Sequence, residues 1–485
     1  MPTAVLNGLA ANPAAPSDVL INLIDRHGAD LKQDLAARRE MPAPLVEAML
    51  NHPVPEVRCA LGANPYVDLR IRVRLVDDPD PVVVAWVRHD RTRPLPAEAV
   101  DQYLEAFDRT AALGLLSAEE ARFELSRALS DDPRLLAPAA RHPNPNVRAA
   151  AVFLEERLEP RYRRSLRNDP APAVRQAFAD YDEAENRTTE LAELVTASSF
   201  SRWMQLGRRL TPQLVDHVLA QGDTADLQSV AANRTLPPAA LEALLAHPAP
   251  EVRSAAARRG DLTADQLARL VGDPHPLVRN AVSTHPALSE QQRATIDVDL
   301  GLVPGEGDFR AENWPIDPFW TVDELTEWAL SSNVLLRRRA ARSPELPAFL
   351  VPVLADDGDL GVRVLLALTR PDAPPQLLLR CYLEYTGNGR EALLHNPGFP
   401  QGRYAQYAEH PDPALRRLVA LDPDAEPKLL VRLLSDQDPD VRCAAAASPR
   451  LLPRRIVQLL DDPELAAAAA SNPALPVQEM WRLIG

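Results

Sequence analysis

An all-α repeat architecture is what this sequence predicts, and three observations predict it. First, the phrase Pro248-x-Pro250-x-Val252-Arg253-x-Ala255 returns 26 residues later as Pro274-x-Pro276-x-Val278-Arg279-x-Ala281. Second, that phrase recurs from near the N-terminus to the last residues. Third, the apolar residues between copies fall at helical spacing, as Leu267, Leu270 and Val271 do. A fixed short period of this kind is the mark of a solenoid, in which each unit buries its faces on its neighbours.

One unit shows why. His247 or Asp273 stands before the first proline, where a side-chain acceptor caps a helix start. Pro250 fits the first helical turn, where a missing N–H costs nothing. Val252, Ala255 and Ala256 then give one small apolar face, and Arg258-Arg259-Gly260-Asp261 ends the helix. Thr263 caps a second helix carrying Leu267, Leu270 and Val271, which Gly272-Asp273-Pro274 closes. Two helices this short bury no core alone, and the alanines permit close stacking.

Anchored on the arginine of the phrase, the units run through Arg58, Val84, Arg122, Arg148, Arg175, Arg202, Leu227, Arg253, Arg279, Arg310, Arg337, Arg363, Arg390, Arg416 and Arg442. Lys32 extends the series at the front and Ala468 at the back. That makes about 17 units, most of them 26 or 27 residues apart, within one elongated domain spanning residues 1–485. Residues 1–24 read as a partial first repeat. Residues 469–485 read as a closing helix, with Met480, Trp481 and Ile484 on one face. Ends of this kind are atypical because the last face meets water.

Three places depart from the period. The gap from Val84 to Arg122 holds a longer helix, Leu95–Arg109, and a capping box, Ser117-x-x-Glu120. The stretch Asp180–Val195 lacks proline and reads as a longer, exposed second helix. Arg279 to Arg310 carries a Gly-rich acidic loop at Asp297–Asp308.

Composition narrows the function classes. The net charge of −15 opposes a general nucleic-acid or anionic-membrane role. Only two of the 53 basic residues are lysine, Lys32 and Lys428, a bias read as that of a high-GC genome. The 48 prolines, about twice the usual share, punctuate helices at fixed offsets. Cys59, Cys381 and Cys443 are scattered and form neither a disulfide framework nor a zinc motif, which suits a cytoplasmic location. There is no signal-peptide pattern and no apolar run of membrane length.

The repeated module Val-Arg-x-Ala, then Asn-Pro, then Leu-x-x-Leu-Leu-x-Asp-Pro, resembles the leucine-rich repeat variant family. It is seen at Val57-Arg58-Cys59-Ala60 with Asn64-Pro65, and at Val441-Arg442-Cys443-Ala444 with Leu451-Leu452-Pro453 and Leu459-Leu460. The resemblance covers nearly the whole chain. It implies a right-handed superhelix of two-helix units, the second helix α and the first a short α or 3-10 turn. HEAT-type repeats are the second resemblance. The family's cysteine-ligated iron–sulphur cluster is not carried over, because no matching cysteine group is present, and no cofactor is implied.

The arginine series Arg58, Arg148, Arg175, Arg253, Arg279, Arg363, Arg416 and Arg442 reads as a structural ladder, bonded to caps and to aspartates such as Asp78, Asp169, Asp273 and Asp436 one unit on. His52, His142, His247 and His410 fill the slot that Asp169 and Asp273 fill elsewhere, so they read as caps, not metal ligands. Basic groups at Arg88–Arg93, Arg161–Arg167 and Arg337–Arg342 read mainly as solvated faces and ladder members.

One segment stands apart. Residues 297–328 hold Phe309, Trp314, Phe319, Trp320 and Trp328 among nine acids and a single arginine, Arg310. Thr321-x-x-Glu324 caps a helix that presents Trp328. Large aromatics there either fill a distorted unit or anchor a partner inside an acidic rim. As an anchor, Trp314, Phe319, Trp320 and Trp328 contact a basic segment of a protein or peptide. The function expected is a non-enzymatic interaction scaffold. The alternatives are a nucleic-acid-binding HEAT-like solenoid and, third, an enzyme or lyase on such a frame.

Overall fold

A computed structural model describes residues 2–485, apart from 65, 88–96, 115, 196–201, 203–204, 234, 303–319 and 388. Among the described residues the protein is all-helical, with 66% helix and 1% strand, consistent with an α-solenoid. Many first helices begin on proline: Pro55–Ala63, Pro145–Val152, Pro250–Ala256, Pro276–Ser283, Pro413–Leu421 and Pro439–Ala447 all do. Proline pre-sets φ and gives up only an N–H that a helix start leaves unbonded. The following Val and Ala then pack inward. Val57, Val147, Val252, Val278 and Val441 are all fully buried.

The contacts divide the chain into two compact units, residues 1–179 with 401–485, and residues 180–400. The first unit is a continuous stack of first helices. Pro413–Leu421 packs on Pro439–Ala447, which packs on Ala466–Ala470. That helix packs on Thr3–Ala11, then come Lys32–Ala37, Pro55–Ala63 and Pro81–Trp86. The stack therefore passes through both chain ends. The expected free terminal face is covered by the other end of the chain. Residues 1–24 are also no partial repeat, since Thr3–Ala11 and Ser17–His27 form a complete helix pair. In the C-terminal helix Val477–Ile484, Met480, Leu483 and Ile484 are buried while Trp481 is 39% exposed. Trp481 lies one residue, about 100°, off the face that Met480 and Ile484 share.

In the second unit Thr224–Ala231, Pro250–Ala256 and Pro276–Ser283 stack in turn over an apolar core reaching from Leu194 to Ile296. Val322–Ala329 packs on Val334–Ala341, which packs on Leu360–Thr369.

Several expected local features are present. The extra helix is Ala97–Ala112, followed by the Ser117/Glu120 capping box. Thr263 with Gln266 and Thr321 with Glu324 also form capping boxes. Two features differ. The proline-free stretch is no single second helix. It is the first helix that lengthens, Pro172–Asn186, and the chain then leaves helix geometry at Thr188–Thr189, which pairs in parallel with Arg209–Leu210. The tightened 3-10 turns are not confined to first helices: Gly28–Leu31 leads into the first helix Lys32–Ala37, whereas Val73–Asp77 and Ala348–Leu350 belong to second helices. Pro352 accounts for the latter. It has no N–H to bond Ala348, so that carbonyl is taken by the Val351 N–H in a tighter turn.

Candidate functional site

The ladder arginines share one geometry. Arg253 donates from Nη1 to the carbonyls of His247 at 2.7 Å and Pro248 at 3.0 Å. Its Nε and Nη2 donate to the two carboxylate oxygens of Asp273 at 2.8 and 2.9 Å, a bidentate bridge to the next unit. Arg58 with Asp78, Arg148 with Asp169 and Arg416 with Asp436 repeat it. Arg175 and Arg279 reach back to the carbonyls of Asp169 and Asp273. Arg279 also meets Asp297 at 3.4 Å, while Arg363 and Arg442 use Glu384 and Glu464 in place of aspartate. Asp169, Asp273 and Asp436 thus each take the preceding arginine on the carboxylate and the following arginine on the carbonyl, whereas the ladder position after Asp78 is Val84.

Electrostatics agree with that geometry. The bond from Arg148 holds the Asp169 carboxyl below its usual range, and Arg416 does the same to Asp436. At Asp273 burial pushes the carboxyl up, but the bonds from Arg253 and from the His275 N–H outweigh it, and the net direction is down. The carboxylates also close turns, since Asp273 accepts from the N–H of His275 and Asp436 from that of Asp438, both at 2.9 Å.

The slot histidines make the same bond. Nδ1 of His52, His142, His247 and His410 accepts from the N–H two residues on, each at 3.1 Å. The acceptor thus closes the turn ahead of the helix and does not cap the helix itself. Among the described residues no group of three or more His, Cys, Asp or Glu is placed to hold a metal ion. Cys381 is buried, and burial pushes its thiol up to about 12, far from the range of a reactive thiolate.

A second ladder, not among the sequence expectations, runs through asparagines. Asn64 donates to the carbonyls of Leu35 and Arg38 in the preceding unit and accepts from the Tyr66 N–H. Asn472 does so to Ala446 and Ser448, and Asn396 to Arg370. Arg38, Arg259 and His285 stand in the same slot and bond the preceding unit's carbonyls. The signal was present as Asn-Pro six residues past the ladder position, at Asn64-Pro65 and Asn396-Pro397.

The candidate partner site is built on the helix Val322–Ala329. Trp320 and Trp328 are half-buried and meet edge to face with centroids 5.0 Å apart. The Arg339 guanidinium, from the next helix, lies 4.9 Å from the Trp320 ring and 4.7 Å from Trp328. Two anchor residues are therefore brought together, and a cation fixes their orientation. Trp314 and Phe319 lie outside the described residues, as do Glu306, Asp308, Glu312 and Asp317. Part of the acidic rim is engaged internally: Glu324 closes the capping box and Glu327 meets Arg293 at 3.4 Å. Val322 and Asp323, in the first turn of the same helix, and Leu330, at its C-cap, are exposed.

The basic groups are spent on internal bonds. Arg161 pairs with Glu159, Arg167 with Glu155, Arg337 with Asp357 and Arg338 with Asp359, while Arg163 and Arg164 bond carbonyls of their own segment. Arg88–Arg93 lie outside the described residues. Among the described residues no helix is long and apolar enough to cross a membrane.

Comparison with protein-family models gives no match, and no curated protein matches the chain.

Proposed function

We propose that this protein is a non-enzymatic interaction scaffold of the cytoplasm. In this reading it is a right-handed α-solenoid of leucine-rich-repeat-variant type, with about 17 two-helix repeats of mostly 26 or 27 residues. It binds a basic segment of a protein or peptide. The observation that carries the reading is the Trp320–Trp328 pair, half-exposed and held by Arg339, at a helix whose first turn carries the exposed Asp323. Aromatic rings already fixed in place lose little entropy on binding, and tryptophans dominate the energy of protein interfaces. A negative neighbour steers a basic partner towards them. In this reading Trp314 and Phe319, which lie outside the described residues, are further contact residues.

The test is titration of full-length protein with a set of synthetic Lys/Arg-rich peptides, and with duplex DNA as the competing ligand. Trp328→Ala is expected to weaken peptide binding by about 30-fold, the effect of losing about 2 kcal/mol. Trp320→Ala and Trp328→Ala each remove a ring packed on Arg339, so both lower the melting point as well. Asp323→Lys, at an exposed position, is the cleaner variant, and it is expected to weaken binding with the melt unchanged. Peptide binding equal in all these proteins, or a salt-sensitive preference for duplex, would overturn the reading.

A further inference from the structure

The joint between the two chain ends is made from the same parts as the joints inside the stack. Asn12 donates to the carbonyls of Ala470 at 2.9 Å and Asn472 at 2.7 Å, and accepts from the Ala14 N–H. Asn472 makes the matching bonds to Ala446 and Ser448. Leu9, Ala10, Ala469, Ala470 and Met480 are fully buried there. Gly8 is required by the closeness of the helices, because a Cβ on it would stand 2.1 Å from the Ala467 carbonyl oxygen. Arg26 adds a clamp, donating to the carbonyls of Ile484 at 3.0 Å and Gly485 at 2.9 Å.

One property separates this joint from the others. Consecutive units are tethered by a short loop, whereas the partners here lie 458 residues apart in sequence. Nothing local obliges the first repeat of a chain to seat on its own last repeat. Every copy carries the same two complementary faces, and such a pair joins copies head to tail when it is not satisfied within one chain. We infer that the face formed by residues 466–485 is a docking face for the repeat at residues 3–27. It is filled by the chain's own repeat at low concentration and by that of a second copy once the ends are parted. The first repeat is then a self-donated cap that keeps the chain monomeric, because the intramolecular partner has the higher effective concentration.

The test uses full-length chains carrying two different affinity tags. They are mixed at high concentration, held briefly in denaturant just strong enough to part the ends, and returned to buffer. Wild type is expected to give mixed-tag species after this treatment and to sediment as a monomer without it. Gly8→Val, whose side chain meets the Ala467 carbonyl, is expected to give no mixed-tag species. Amide exchange in its helices 466–470 and 477–484 should rise about tenfold or more. Gly260→Ala, at a position with open space around it, should behave as wild type. Arg26→Ala opens the joint without touching the helix Thr3–Ala11, and it should raise exchange in 477–484 by a smaller factor. Unchanged exchange in both Gly8→Val and Arg26→Ala, mixed-tag species formed equally by Gly8→Val, or none formed by wild type would each overturn the inference.

Discussion

Arg253 stands 13% exposed and its partner Asp273 8% exposed, so their bidentate bridge is shielded from water without being sealed. An isolated surface pair contributes little. This one also satisfies two backbone carbonyls, and removing the guanidinium strands all three acceptors. Arg253→Ala is expected to cost about 1–3 kcal/mol. The cost should be read as faster amide exchange in Pro250–Ala256 and Pro276–Ser283. The acid limb of stability tests the same device. A carboxylate whose folded pKa is lowered contributes stability above its unfolded value, near 3.9 for aspartate, and loses it as pH falls through the folded value. Asp169 and Asp436 are lowered in this way by Arg148 and Arg416. Arg148→Gln should therefore begin to unfold at a higher pH than wild type during acidification. Near pH 7 the gap between the two proteins should be flat with pH. A gap that widened as pH fell through the carboxylate range, or that still changed around neutral pH, would contradict the assignment.

Helices in this fold are short, and their ends are set by single residues. The buried pair Arg338–Asp359 shows how tightly one element can depend on another. Arg338 donates to both oxygens of Asp359 at 2.8 and 3.0 Å, and Asp359 caps the helix Leu360–Thr369. Gly361, in the first turn of that helix, leaves room for the guanidinium: a Cβ there would stand 2.4 Å from Arg338 Nε. A flexible surface arginine would swing aside, but this one is 2% exposed and held by its carboxylate. Gly361→Ala should cost about 1–3 kcal/mol in thermal melts, despite the better helix propensity of alanine. Gly260→Ala, with nothing within 4 Å, should stay within about 0.5 kcal/mol of wild type. A neutral Gly361→Ala would mean that Arg338 relocates freely.

Elements of this kind were legible in the sequence wherever their determinants are local and repeated. The Pro–Val–Arg–Ala phrase marks Pro250–Ala256 and Pro276–Ser283, and Thr321-x-x-Glu324 marks the start of Val322–Ala329. What stayed hidden depends on pairs with no fixed spacing. Arg339 meets two tryptophans 19 and 11 residues before it, outside the period of the repeat. The seating of Gly8 on Ala467 depends on which face lies free at the far end of the chain, and no local pattern carries that. The 3-10 turn at Ala348–Leu350 comes from one proline, Pro352, that departs from the consensus of its neighbours.

At the scale of the whole chain, the stability of a repeat stack is a sum of repeats and nearest-neighbour joints. The contacts already separate residues 180–400 from a unit assembled of residues 1–179 and 401–485. Within the latter, the joint of Asn12 with Ala470 and Asn472 has no local tether, so its loss frees a repeat at each end without unfolding either. Thermal unfolding is therefore expected to proceed in more than one step. The calorimetric enthalpy should exceed the van't Hoff enthalpy, and exchange-monitored opening should begin in residues 3–27 and 466–484. The joints inside Thr224–Ser283 should open later. There the first helices stack on one another, and the Arg253–Asp273 bridge, the Asn233 bonds to Leu206 and the Arg259 bonds to Ala231 tie successive units in two rows. Equal calorimetric and van't Hoff enthalpies, with uniform exchange along the chain, would show that the joints are coupled strongly enough to melt as one.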